Sequence, residues 1–171
     1  MIPLRFIISW LAAAAVHELF HLFALYLVRE PVYAVEIDAF GAGIKTGPLR
    51  PWKECVCSAA GPLGSFALLS VSKWFPLIAL FGCLQGICNL IPLYQMDGGR
   101  IVRYFLAICL PRDWVCRFSV ILHILTCLAL TVLGLYCWLR LSLGPLPFLL
   151  AAVLTLKEIK IPCKTNIKKV Q

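Results

Sequence analysis

Between Pro3 and Val28 the chain carries only two charged residues, Arg5 and Glu18, in an otherwise almost wholly apolar run. As a helix, such a run crosses a hydrocarbon layer of about 30 Å with some tilt. Backbone in lipid must satisfy its own hydrogen bonds, so the fold class expected is an all-α membrane protein. The composition agrees: 61% of the 171 residues are hydrophobic, 14% are charged and mean hydropathy is +0.90. Soluble domains carry about 25% charged residues. Inside this run stands His17-Glu18-Leu19-Phe20-His21. A charge such as Asp at the centre of a membrane helix costs about 2.5–3.5 kcal/mol on insertion scales. Two histidines and a glutamate within five residues therefore need a common reason. Residues four apart share one helix face, so His17 and His21 can reach one metal ion. Glu18 lies on their flank, placed to act as the base toward a water at that ion.

The rest of the chain reads as about four more spans. They run from about Cys55 to Ser72, Trp74 to Met96, Phe118 to Leu139, and Leu141 to Leu156, the last one short. Between the first two, Val32, Tyr33, Val35 and Ile37 favour strand and Gly41-Ala42-Gly43 marks a turn. A short β-hairpin or re-entrant loop at the membrane surface is expected there. In the second span, Ala59-Ala60-Gly61-Pro62-Leu63-Gly64-Ser65 allows close helix approach, and Pro62 frees the Ser58 carbonyl. Residues 100–112 place Arg100 and Arg103 on one face and Ile101, Tyr104, Phe105 and Ile108 around the other. That pattern suits an interfacial helix ended by Pro111. A single domain is expected: a core over about 3–100, further helices over about 101–156, and a basic tail at 157–171.

The third span ends in Asn89-Leu90-Ile91-Pro92-Leu93-Tyr94-Gln95-Met96-Asp97-Gly98-Gly99. Pro92 cannot donate to Cys88, so the helix should bend or open there. Asp97 closes the span, and Gly98-Gly99 lets the chain turn. Zinc catalysis takes three protein ligands and one open position, and two histidines with a carboxylate form such a set. Asp97 is thus the candidate third ligand, for one Zn2+ per chain. His123, alone in the fourth span, is better read as a packing residue than as a ligand. The nine cysteines form no C-x-x-C pair and are odd in number, so unpaired thiols are expected.

The net charge of +8 bears on topology. No nucleic-acid motif accompanies it, and the partner it favours is the lipid bilayer. Thirteen of the sixteen Lys and Arg fall after the first, third and fifth spans, and three, Arg5, Lys73 and Arg140, on the other side. The amino terminus is therefore expected outside and the carboxy terminus in the cytoplasm of a multi-pass cell-membrane protein. His21 precedes Arg29 by eight residues, about 12 Å along the helix from the cytoplasmic boundary.

H-E-x-x-H within a membrane helix, followed by N-x-x-P-x-x-x-x-D-G at Asn89, Pro92, Asp97 and Gly98, resembles the site-2 proteases, the intramembrane zinc metalloproteases. The resemblance spans His17 to Gly98, about half the chain. It implies that His17, His21 and Asp97 bind zinc, that Glu18 is the catalytic base, and that Asn89 and Pro92 shape substrate binding. Gly61-Pro62 resembles the family's G-P-x-x-N element, but Ser65 stands where the family has Asn, which leaves a role at 65 open. The form without a PDZ insertion is similar to the stage IV sporulation FB branch, which implies a sigma factor precursor as substrate. Two other classes fit the residues less well. A membrane metal transporter gives Glu18 no role, and a non-catalytic metal-binding membrane protein predicts zinc without proteolysis. The sequence names neither the membrane-associated substrate nor any inhibitory membrane partner.

Overall fold

The computed structural model describes residues 3–38, 41–47 and 49–141, with positions 149 and 153 beyond them. The fifth expected span and the basic tail lie outside these. The described residues form five α-helices and one hairpin: α1 (Leu4–Leu27), β1 (Val32–Asp38), β2 (Gly41–Thr46), α2 (Pro51–Ala67), α3 (Pro76–Asn89), α4 (Asp97–Cys109) and α5 (Arg112–Leu141). The 3-10 turn Leu68–Val71 extends α2. Among the described residues three helices are long and apolar enough to cross a membrane: Leu4–Leu27, Pro51–Val71 and Arg112–Arg140.

α1 ends as its sequence suggests, with an unusual residue at the stop. The Glu30 amide donates to the Leu25 carbonyl at 3.1 Å and the Arg29 amide to Tyr26 at 3.1 Å. This paired closure needs a left-handed residue after the cap, and Arg29 supplies it with φ 56° in place of the usual glycine. Lys53 Nζ donates to the last carbonyl, Val28 O, at 3.0 Å and pairs with Glu30, tying the start of α2 to the end of α1. The hairpin between them is antiparallel, with Val35 opposite Ile44 and Asp38 opposite Gly41. Gly41-Ala42-Gly43, expected as the turn, instead belongs to β2 and pairs with Asp38, Ile37 and Glu36.

The third expected span divides. α3 has 14 residues, about 21 Å of helix, which is short of the hydrocarbon thickness. It stops at Asn89 because Pro92 offers no hydrogen to the Cys88 carbonyl; the Ile91 amide takes that acceptor at 3.2 Å. Residues 90–96 are not helical, and Asp97 opens α4 rather than closing α3. Gly98-Gly99 sits in the first turn of α4 and does not turn the chain. The reason is space. A Cβ at Gly98 would run into the Leu90 carbonyl, and one at Gly99 into the Leu93 carbonyl.

α4 turns Phe105 and Ile108 outward as an interfacial helix would, but buries one of its two arginines in protein. Arg103 is 7% exposed, whereas Phe105 and Ile108 are exposed. The Arg103 guanidinium lies 4.1 Å from the Tyr94 ring centroid and donates to Tyr94 O at 3.4 Å. Aromatic faces and a carbonyl thus receive a cation that helical periodicity alone assigns to the surface. α5 packs lightly, and residues such as Ile121, Ile124, Leu125 and Leu128 point outward. Among the described residues Cys55, Cys57, Cys83, Cys88, Cys109 and Cys137 are free thiols, but Cys116 is disulfide-bonded, contrary to the expectation. An odd cysteine count argues against a framework of bridges and leaves room for a single one.

Candidate metal centre

α1, α2, α3 and α4 meet around His17, which is 2% exposed at the centre of the first span. Helical spacing puts His21 one turn further along the same face. The first turn of α4 brings Asp97 against both rings. Asp97 Oδ2 lies 3.1 Å from His17 Nε2 and 3.2 Å from His21 Nε2, and the two Nε2 atoms are 3.2 Å apart. Ligands held tetrahedrally at zinc bond lengths of about 2.0–2.1 Å stand roughly 3.3 Å apart. The three residues form the metal-capable group among the described residues.

The donor set fits a metal for a further reason. His21 Nδ1 lies 2.7 Å from the Cys57 carbonyl, an acceptor only, so Nδ1 carries the hydrogen and donates. The other ring nitrogen, Nε2, faces Asp97 and His17. α4 lies outside the three spanning helices. Burial pushes the Asp97 carboxyl up, but its interactions with His17 and His21 outweigh burial and hold it at about 2. Two ring nitrogens and a carboxylate oxygen that meet this closely are held together by a cation between them, a proton or a metal ion. A ligating histidine characteristically donates its second N–H to a carbonyl, as His21 does.

Three small residues of α2 make this packing possible. Cys57, Gly61 and Ser65 recur every four residues on one face, and all are buried. Gly61 lies flat against the two imidazoles, where a Cβ would overlap both the His21 and His17 rings. Ser65 Oγ lies 2.8 Å from His17 Nδ1. The close packing expected from the small-residue stretch is thus real, and the rings of the site are what it packs. The Ser65 contact and the Cys57 carbonyl were not legible from residue types. The four-residue spacing of small side chains was the available signal.

Glu18 is half-buried beside His17 on the same turn of α1. Asn89, the last residue of α3, brings Nδ2 to 2.9 Å from His17 Nε2. Pro92 is not in this cluster. It lines a small cavity with Tyr94, Gly99, Arg103, Ser119 and His123. His123 is outside the metal-capable group, and its Nε2 lies 3.6 Å from Cys127 Sγ within α5.

Fold and site together define a helical membrane protein carrying a two-histidine, one-carboxylate metal-binding group. Its fold is that of a site-2 protease. The structure is similar to the site-2 protease from Methanocaldococcus jannaschii, with TM-score 0.59 and 23% identity over 91% of this chain and 77% of that one. No protein-family model and no curated protein matches the sequence.

Proposed function

We propose that this protein is an intramembrane zinc metalloprotease of the site-2 type. Its reaction is hydrolysis of a peptide bond in or near the transmembrane segment of a membrane-associated protein. One observation carries this reading: two histidines of α1 and a carboxylate 80 residues away from His17 converge within 3.2 Å, beside a glutamate on the same helix turn. His17, His21 and Asp97 hold the ion. Zinc bound there supplies a Lewis acid that polarises a carbonyl and eases ionisation of a water. Glu18 accepts a proton from the attacking water at its carboxylate and returns it to the leaving nitrogen. Asn89, with its amide donor beside the His17 ring, orients the scissile carbonyl.

A helical substrate hides its carbonyls in its own hydrogen bonds, so the cleaved segment must be extended. The non-helical segment 90–96, with Pro92 within it, and the edges of the β1–β2 hairpin are the two places where a strand can be added. If α3 still carries the chain across, as the five-span reading of the sequence expects, the charge asymmetry puts the amino terminus outside and the carboxy terminus in the cytoplasm. A sigma factor precursor is the proposed substrate, on the resemblance of the motifs at His17–His21 and Asn89–Gly98.

The test is purified protein assayed for zinc, with co-expressed single-span substrates assayed for cleavage. About one zinc per chain is expected, and Glu18→Gln should keep it while losing cleavage. Zinc without cleavage of any substrate would leave a non-catalytic metal protein. Ion flux surviving Glu18→Gln would point to a transporter.

A further inference from the structure

We propose that Ser65 is a positioning residue for His17: its hydroxyl oxygen accepts the Nδ1 hydrogen and so fixes the tautomer that turns the Nε2 lone pair toward the metal. This deepens the reading given under the proposed function and rests on it.

The two histidines of α1 are held by different means. His21 donates Nδ1–H to a backbone carbonyl, Cys57 O, which belongs to the helix ladder of α2 and survives any change of side chain there. His17 has no such carbonyl. Its Nδ1 is met by the side chain of Ser65, two helical turns further along the same face of α2, at 2.8 Å. Both groups are out of reach of water, with His17 2% and Ser65 0% exposed. No solvent molecule can replace Ser65 as the partner without a rearrangement.

The other side of the His17 ring sets the direction of that bond. His17 Nε2 faces Asp97 and His21 in the metal-capable group, and a ring nitrogen that ligates a metal carries no hydrogen, so the hydrogen of the neutral ring is on Nδ1. Ser65 Oγ is then the acceptor, and its own hydrogen rotates elsewhere. Nε2 points at Asp97 and at the second histidine, as the metal-capable arrangement needs. Without an acceptor at 65, the buried Nδ1–H has no partner, and the ring gains by turning over or by moving the hydrogen to Nε2. Either change removes a ligand atom from the metal.

The experiment measures zinc affinity by chelator competition on the full-length protein in lipid nanodiscs, with the unfolding midpoint of the zinc-free protein measured alongside. Ser65→Ala removes one atom and the acceptor. It should weaken zinc binding about 10–100-fold, the usual loss for a partner behind a ligand. The zinc-free midpoint should stay near that of the wild type. Ser65→Thr, which keeps the acceptor, should bind zinc more tightly than Ser65→Ala. An unchanged affinity in Ser65→Ala would overturn the proposal. So would an affinity loss matched by an equal loss of zinc-free stability, which would make Ser65 a packing residue. If the wild type itself bound no zinc, the metal site would fail first; wild-type binding with an indifferent Ser65→Ala would sink the Ser65 role alone.

Discussion

Asn89 Nδ2 lies 2.9 Å from His17 Nε2, although the two residues are 72 apart in sequence and belong to different helices. Family resemblance alone had offered Asn89 as a functional residue. Its position at the end of α3 puts an uncharged donor on the rim of the metal-capable cluster. Asn89→Ala is expected to lower kcat about 10²–10³-fold, the typical loss of one donor to developing oxyanion charge. Zinc content should hold, because the three ligands remain. Equal losses of zinc and activity would instead make Asn89 a support for His17.

Asp97→Asn should behave differently. The variant keeps its size but loses the charge that balances the cation and repels the two lone pairs around it. Zinc affinity should fall by at least the 10–100-fold seen for residues behind a ligand, and cleavage should fall with it. Chelator competition and a cleavage assay on the same preparation decide the matter. Full occupancy with near-normal activity would move the third ligand elsewhere.

Gly61→Ala tests the close approach of α2 to the rings. The added carbon overlaps both imidazoles, and overpacking of this kind costs about 1–3 kcal/mol. The strain falls on two ligand rings, so zinc affinity should drop at least about 5-fold, the equivalent of the lower figure. A variant that binds zinc as the wild type does would show that the helices give way easily.

The proposed orientation has its own check. A single cysteine engineered near Gln171, in a background lacking the native thiols, should be shielded from impermeant reagents in intact cells. It should react once the membrane is opened. Labelling from outside would reverse the topology and put the site on the other face.

Much of the site could be read before the structure because its first half is local. His17, Glu18 and His21 are fixed relative to each other by helix geometry alone. Asp97 followed from counting ligands, and the structure brings it to both histidines. Its element did not follow. Two glycines read as a turn, since propensity ranks glycine low in helices. Here the carbonyls of Leu90 and Leu93 occupy the space where side chains would stand, and tertiary packing overrides propensity. Arg103 was placed outside for a similar reason: its aromatic partner Tyr94 lies nine residues back, across the non-helical segment, where periodicity has no reach. Ser65 is the subtler case. A residue type that departs from a family pattern carries no sign of whether its chemistry departs too.

The fit of Gly98 and Gly99 against the Leu90 and Leu93 carbonyls has one more consequence. The segment between α3 and α4 and the first turn of α4 share a seam without side chains, and Asp97 stands at the start of that turn. The seam that seats the turn therefore also fixes how far the carboxylate stands from the two histidine rings.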